Sequence, residues 1–507
     1  MEKIYETIKN RIKGNEDITV FILICVALIS TALYYELTPT DMLWNFGNIY
    51  KIYAGQKMYA DANIIITPIF FEIGKMFFTT LGANFFVYNI YGYLLDIIMY
   101  FLIYEILKNI NLNKKISMMC IILIMLISQK TLTANGANYN TLAFIFVEIG
   151  LLLNLKLNSK IIENKFDKKN IILSIANGIL IVLTFFTYQK AGAGYFLAIM
   201  AIYILNNKKS IMKNISITFI SMAISTLIMM MYLYNIGIMN DMINMCVLGI
   251  SDFANNNWKV DASVFLFSFL VISSTVFSVI ICKKNEDENA KNTIKIMLPI
   301  ALGNMLICIP ILNYYHILYA SIFFSILLIQ CLNICLKELT TDEKIDKTIN
   351  ITLIIAAIAI ISTSVYKLNL YVKNIEKNKR EYSNIYYGAI TDKLEENIEK
   401  IDSYIVKEKK SEKKVVILSS YAMLYPENYS SLNGMFDLPN SGNYGKEGEK
   451  GLIEKIKNLP SGTIILVQNK ERSEYEIYQY ATKTREYIYN NYTSEGIIEN
   501  YDIFVKN

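Results

Sequence analysis

The chain has 507 residues, of which 54% are hydrophobic, and its mean hydropathy is positive. A soluble protein of this length would not expose so many runs of isoleucine and leucine, so the composition excludes a soluble class and indicates a polytopic membrane protein. The net charge of +5 mostly reflects lysines in short loops, and nothing in the sequence indicates nucleic-acid binding.

Apolar segments predict eleven membrane-spanning helices, of which the third and the sixth are short. They lie near residues 18–35, 84–106, 116–129, 139–155, 171–187, 191–206, 215–234, 262–282, 294–312, 315–336 and 350–367. No cleavable signal peptide is expected, because the first apolar run lacks a small-residue cleavage pattern.

Basic residues in the loops predict the orientation of these helices. If the N-terminus is cytoplasmic, the loops on the inner side hold 22 Lys and Arg residues and those on the outer side hold 6. The bias appears in every pair of loops, so we expect a cytoplasmic N-terminus and an extracytoplasmic C-terminus.

The segment 66–81 is apolar but is too short to span a membrane comfortably, and Glu72 and Lys75 interrupt it. If it crossed the membrane, every later loop would change side and the charge bias would invert. We therefore expect an amphipathic helix at the outer interface, with Pro68 near its start.

Three domains are predicted: a membrane domain at 1–368 with a first outer loop at 36–83, a charged helical connector at 369–412, and a soluble α/β domain at 413–507. In the last domain, strands are expected at 413–420, 461–469 and 496–507, and helices at 446–459 and 473–492. The glycine-rich stretch 442–448 precedes a helix and is interpreted as a flexible surface loop rather than a phosphate loop.

Four polar residues in predicted outer loops are candidates for chemistry, namely Asp41, Lys130, Lys190 and the single histidine, His316. A carboxylate can take the proton of an acceptor hydroxyl as it attacks a sugar carbon. Lysines at the membrane surface can bind a lipid-linked phosphate and stabilise it as a leaving group.

Each of these four residues also has an alternative, purely structural role. Asp41 could cap an interfacial helix, and the two lysines could extend to the membrane surface. His316 could bind a phosphate or hydrogen-bond within the helix bundle. Two deeper acids, Asp96 and Glu148, lie inside predicted spans and have either a functional role or a role in helix packing.

The first loop resembles that of the bacterial GT-C glycosyltransferases, the superfamily of protein O-mannosyltransferases and lipid A aminoarabinose transferases. The resemblance rests on an acid after the first span, a Gly-x-x-x-Tyr-x-Asp element (Gly55, Tyr59, Asp61), a proline and an amphipathic helix. It extends to Asn-Tyr-Asn at 138–140, Lys-Ala-Gly-Ala-Gly at 190–194 and the Pro…His element at 310–316.

This resemblance implies an α-helical membrane enzyme that transfers a sugar from a polyprenyl-phosphate donor, with inversion, on the outer face. Asp41 would be catalytic with Asp61 as its companion, and Tyr59, Asn138 and Tyr139 would bind substrate. Lys130, Lys190 and His316 would surround the donor phosphate.

Many members of this superfamily have two adjacent acids where this first loop has Asp41, whereas Met42 follows Asp41 here. The resemblance therefore leaves open whether a divalent metal ion takes part. The expected acceptor is a polymer, lipid or protein of the cell envelope.

Two other functions fit the same compartment. A polysaccharide polymerase of the O-antigen type usually has a large outer segment between spans and often arginines, but the membrane part here contains Arg11 alone. A non-enzymatic transporter or flippase would be favoured by an internal repeat, and no repeat is apparent.

Overall fold

The computed structural model describes residues 16–33, 40–62, 64–110, 112–132, 136–158, 168–206, 211–256, 258–335, 343–377, 392–419, 442–469, 471 and 481–507. These residues group into two compact units. Unit 1 contains the described residues of Met1–Tyr34, Asn89–Leu227 and Val260–Lys379. Unit 2 contains those of Tyr35–Tyr88, Ile228–Lys259 and Arg380–Asn507.

The described part of the chain is mostly helical. Its helices up to the first strand are α1 (Glu16–Leu33), α2 (Thr40–Tyr53), α3 (Ile69–Leu81), α4 (Phe85–Asn109), α5 (Lys114–Leu132), α6 (Tyr139–Asn158), α7 (Lys168–Phe185), α8 (Gln189–Asn206), α9 (Ile211–Asn235), α10 (Met239–Ile243), a π-helix (Asn244–Leu248) and α11 (Ile250–Asn256). The elements that follow are the short strand β1 (Lys259–Val260), α12 (Val264–Lys284), α13 (Glu288–Asn304), a 3-10 helix (Met305–Cys308), the short strand β2 (Ile311–Leu312), α14 (Tyr314–Cys335) and α15 (Glu343–Lys377).

Six helices among the described residues are long and apolar enough to cross a membrane: α4, α6, α7, α9, α12 and α14. Shorter apolar stretches lie in α1, α8 and α15. Because the interior of a bilayer offers no hydrogen-bond partners, long apolar segments are stable there only when the backbone bonds to itself, as it does in a helix.

The predicted span 294–312 differs from the structure. Helix α13 ends at Asn304, and the chain continues as a tight 3-10 turn and a short strand. Pro310 follows that turn and has no N–H group with which to continue a helix. The apolar composition of the segment therefore does not make it one continuous helix.

In unit 2, α3 begins directly after Pro68, as the sequence predicts, and it packs against α2. Phe70, Phe71 and Phe78 form its buried face, whereas Glu72 and Lys75 lie elsewhere on its surface. A Cβ atom on Gly74 would approach the Ile49 side chain to 2.5 Å, so this glycine allows the two helices to lie close together.

The C-terminal residues form a four-stranded sheet, which α16 (Asp392–Lys410), α17 (Gly448–Lys457) and α18 (Thr482–Asn491) accompany. Its strands are β3 (Val415–Leu418), β4 (Ile464–Gln468), β5 (Thr493–Ile498) and β6 (Tyr501–Val505), in the order β3-β4-β6-β5. The β3–β4 pair is parallel and the other two pairs are antiparallel.

The predicted final strand at 496–507 is in fact a hairpin. Ile498 pairs with Tyr501, so the chain reverses through a two-residue loop, and Glu499 adopts a φ of 47° there. The predicted helix at 473–492 is observed from Thr482 onward, and residues 472–480 lie outside the described residues.

The glycine-rich stretch 442–448 is mostly buried, which differs from the expected surface loop. The backbone N–H of Lys446 donates a hydrogen bond of 3.0 Å to the Asn244 side chain. A Cβ atom on Gly445 would approach the sulfur of Met245 to 2.8 Å, and one on Gly249 would approach Gly445 to 2.9 Å. These glycines therefore allow the loop to pack directly on the helical segment that follows α9.

In unit 1, α8 and α13 approach each other at two glycines. A Cβ atom on Gly194 would lie 2.1 Å from the carbonyl oxygen of Gly303, and one on Gly303 would lie 2.3 Å from that of Gly194. Small residues are common where membrane helices touch, because they bring the two backbones close enough for extensive van der Waals contact. The Lys-Ala-Gly-Ala-Gly segment thus has a packing role that its sequence does not reveal.

A Gly194→Leu variant is expected to lose about 1–3 kcal/mol of stability or to fail to fold, since its side chain overlaps the α13 backbone. The matched control is Ala193→Leu, because Ala193 is exposed on the same helix. The midpoint of heat-induced aggregation of detergent-solubilised protein measures the difference. Equal midpoints for the two variants would contradict the close helix contact.

Candidate functional site

Lys190 lies in the first turn of α8 and is half-buried. Its Nζ atom is 5.7 Å from the centre of the Tyr188 ring, which is the geometry of a cation–π contact. The ammonium group also interacts electrostatically with Cys308 and His316. Lys190 is thus held among side chains from three separate parts of unit 1.

Tyr139 extends this group of side chains, because its ring meets that of Tyr188 at 5.2 Å in an edge-to-face arrangement. We call Tyr139, Tyr188, Lys190, Cys308 and His316 the Lys190 cluster. The sequence predicts roles for three of these residues, and the structure brings those three together in one unit.

Asn138 precedes α6 and acts as its N-cap. Its side-chain oxygen accepts hydrogen bonds from the backbone N–H and the side-chain amide of Asn140, at 2.7 and 2.9 Å. Its own amide nitrogen is buried and has no hydrogen-bond partner among the described residues. A Cβ atom on Gly92 would lie 2.4 Å from the backbone nitrogen of Ala137, so α4 passes directly beside this loop.

Hydrogen bonds of the neighbouring tyrosines connect α14 to α6. The Tyr319 hydroxyl is 2.7 Å from the Thr141 hydroxyl, and the hydroxyls of Tyr315 and Tyr319 are 3.4 Å apart. The rings of Tyr315 and His316 are in edge-to-face contact at 5.6 Å. The beginning of α14, which carries His316, is therefore fixed to the beginning of α6, which carries Tyr139.

Lys130 lies in the last turn of α5, but its side chain is outside the described residues. Its predicted place near the donor phosphate stays a prediction.

Asp41 lies in the first turn of α2 in unit 2. Its side chain is exposed, whereas the next eight residues along the helix are buried. Although solvent reaches the carboxyl group, the protein around it raises its pKa by desolvation. These two properties describe a solvent-accessible acid flanked by protein, which is a suitable environment for a general base.

Tyr59 and Asp61 belong to a tight loop of unit 2. Tyr59 is buried with a φ of 67°, and its hydroxyl donates to the backbone oxygen of Ile66 at 2.9 Å. The Asp61 carboxylate accepts the backbone N–H of Lys57 at 2.7 Å. These contacts give both residues a role in the shape of the loop, and the catalytic role of Asp61 stays a prediction.

The two deep acids, Asp96 and Glu148, are almost completely buried in unit 1. Neither oxygen of Glu148 has a hydrogen-bond partner among the described residues. Both acids interact electrostatically with the hydroxyls of Tyr100 and Tyr319. They lie in a buried polar region of the bundle and not in a hydrogen-bonded pair.

The sequence pattern does not single out Tyr188, Cys308 or Asn313. Asn313 could have been found, because an asparagine directly before a long apolar helix is a common N-cap. Tyr188 and Cys308 carry no comparable signal, since their proximity to Lys190 depends on how α8 and α13 pack. Among the described residues, no three His, Cys, Asp or Glu side chains form a group that could hold a metal ion.

Several solved structures share this fold. ArnT from Cupriavidus metallidurans bound to undecaprenyl phosphate aligns with a TM-score of 0.55 at 8% identity, over 97% of this chain and 98% of that one. Its apo form gives a TM-score of 0.54 at 10% identity over the same shares. The archaeal oligosaccharyltransferase AglB from Archaeoglobus fulgidus, in complex with an inhibitory peptide and a dolichol-phosphate, gives 0.53 at 9% identity, over 90% and 70%.

Neither a protein-family model nor a curated protein matches the sequence. At these low identities the structural similarity concerns the fold alone, which this chain shares with ArnT and AglB. With its six long apolar helices, the chain is a multi-pass membrane protein.

Asp61→Ala should lower the free energy of unfolding by about 1–2 kcal/mol, because the Lys57 N–H then loses its charge-assisted hydrogen bond. Asp61→Asn keeps an acceptor oxygen and should retain most of this stability. Thermal unfolding of the purified variants checks the difference. Identical stability of the two variants would argue against the loop role of Asp61, whereas loss of activity in a stable Asn variant would support the catalytic prediction.

Proposed function

We propose that the protein is an integral-membrane glycosyltransferase that moves a sugar from a polyprenyl-phosphate donor to a cell-envelope acceptor. The observation that carries this proposal is the Lys190 cluster, a cation among aromatic and hydrogen-bonding groups in one unit of the fold. An enzyme with the same fold has been solved with undecaprenyl phosphate bound.

In the proposed reaction, Asp41 takes the proton of the acceptor hydroxyl while that oxygen forms a bond to the anomeric carbon. The bond between this carbon and the phosphate oxygen breaks on the opposite face, so the configuration inverts. The polyprenyl phosphate leaves with the bonding electrons, and the ammonium of Lys190 stabilises its negative charge. Lys130 would add a second cation, and His316 lies beside Lys190 in the same donor site.

Tyr59, Asn138 and Tyr139 are the proposed substrate-binding residues, and Asp61 is the proposed companion of Asp41. The buried amide nitrogen of Asn138 supports this role for one of them, because it is a hydrogen-bond donor without a partner among the described residues. A divalent metal ion could take part in the reaction, and the transferred sugar is a hexose or a pentose.

We propose that the reaction occurs on the outer face of the membrane. The positive-inside bias places the first loop, the segment after α9 and the soluble C-terminal α/β domain on that side. Consistent with this, the described residues of all three segments belong to unit 2, as expected for parts of the chain that share one side of the bilayer.

Asp41→Asn should reduce sugar transfer by a factor of about 10²–10⁴, since a neutral amide cannot take the proton of the acceptor. The assay uses membrane vesicles and a panel of labelled polyprenyl-phosphate sugars. Glu72→Gln is the matched control, because it removes a carboxylate from the same loop. Undiminished transfer by Asp41→Asn would remove the central claim.

The pH dependence gives a separate prediction. A base must be ionised to act, so activity rises as the pH rises through the pKa of Asp41. Because desolvation by the surrounding protein raises this pKa, the acidic limb of kcat/KM should lie above the ordinary aspartate value of about 3.9. Measurement of kcat/KM for sugar transfer as a function of pH locates this acidic limb. A limb at or below the ordinary aspartate value would contradict the raised pKa.

A further inference from the structure

His316 is the only histidine of the chain, and two hydrogen bonds involving one neighbour fix its position. The side-chain oxygen of Asn313 accepts the backbone N–H of His316 at 3.0 Å. The same oxygen lies 2.6 Å from Nδ1 of the imidazole. Asn313 therefore caps helix α14 and orients the ring that begins it.

This arrangement determines which ring nitrogen carries the proton. The backbone N–H requires an acceptor, so the Asn313 oxygen and not its NH₂ group must face it. The same oxygen can form the short contact to Nδ1 only if Nδ1 donates a proton. In the neutral imidazole, Nε2 then carries a lone pair and is a hydrogen-bond acceptor.

The surroundings of Nε2 favour this neutral form. No residue in the described part of the chain hydrogen-bonds to Nε2. The Lys190 ammonium interacts electrostatically with the ring, and a protonated imidazole would place a second positive charge beside it. The neutral ring avoids that repulsion.

An acceptor at Nε2 is a poor partner for the phosphate of the donor. A polyprenyl-phosphate sugar is a phosphodiester whose ionised phosphate has acceptor oxygens and no proton to donate. Its oxygens and the Nε2 lone pair would repel each other, whereas the ammonium of Lys190 matches the phosphate in charge and in hydrogen-bond donors. The group that complements Nε2 is a hydroxyl.

We infer that Nε2 of His316 accepts a hydrogen bond from a hydroxyl group of the donor sugar, while Lys190 binds the adjacent phosphate. This inference rests on the proposed function and refines the predicted phosphate role of His316. It makes the residue a determinant of donor specificity, because a sugar without a hydroxyl at that position would leave the acceptor unsatisfied.

Nitrogen NMR tests the protonation state directly, since a protein with a single histidine gives signals from one imidazole. The full chain is labelled with ¹⁵N-histidine, purified through a tag without histidines and placed in lipid nanodiscs near pH 7. We expect a protonated Nδ1 and an unprotonated Nε2, with and without undecaprenyl phosphate. A protonated Nε2 in either sample would overturn the inference.

Asn313→Ala is the matched variant for this measurement. It removes the acceptor of Nδ1, so the proton should redistribute between the two nitrogens. An unchanged pattern in a folded Asn313→Ala protein would show that Asn313 does not set the tautomer, and it would count against the inference. These spectra require no turnover, so they can fail or succeed independently of the Asp41 experiment.

Binding and transfer test the partner of Nε2. Lys190→Gln should weaken binding of undecaprenyl phosphate roughly 10–100-fold, whereas His316→Gln should change it less than about threefold. In the transfer assay, His316→Gln offers an acceptor oxygen and should retain more activity than His316→Lys, which can only donate. Better transfer by the lysine variant, or equal loss of phosphate binding for Lys190→Gln and His316→Gln, would identify His316 as a phosphate ligand.

Discussion

The position of the candidate donor site depends on the contact between Gly194 and Gly303. Lys190 lies one turn before Gly194 on α8, and Cys308 and His316 follow Gly303 along the chain after α13. Because each glycine lies directly against the backbone of the other, the distance between the two helices has little freedom. The electrostatic contacts of Lys190 with Cys308 and His316 follow from that spacing.

Around this contact, the site is built from helix beginnings. Asn138 caps α6, Asn313 caps α14, and Lys190 lies in the first turn of α8. The N-terminal end of a helix carries unpaired N–H groups and a partial positive charge, which favour an anion. These helix ends therefore favour an anion in this part of the unit, in addition to the charge of Lys190, which supports the proposed binding of a lipid-linked phosphate.

Unit 2 carries the residues of the first loop for which the sequence predicts catalysis. Its first loop carries the exposed Asp41 directly before eight consecutive buried residues of α2, and the Gly55–Asp61 turn is held by Tyr59 and Asp61. The C-terminal residues reach the same unit through the glycine-rich loop, which packs against Asn244 and Met245. A segment that the sequence presents as a surface loop thus connects the C-terminal sheet to the chain that follows α9.

The sequence by itself determined the class of protein, because apolar runs of this length have few stable alternatives to membrane helices. It also determined the start of α3 at Pro68 and the first two strands of the C-terminal sheet. It singled out Lys190 and His316 as isolated polar residues, and their roles stay predictions. Only the tertiary structure decided the end of α13 at Asn304, the final hairpin, the packing roles of Gly194 and Gly445, and the grouping of Tyr188 and Cys308 with Lys190. Local propensity and periodicity act between neighbours in the chain, whereas these features depend on backbones that meet only after the helices have packed.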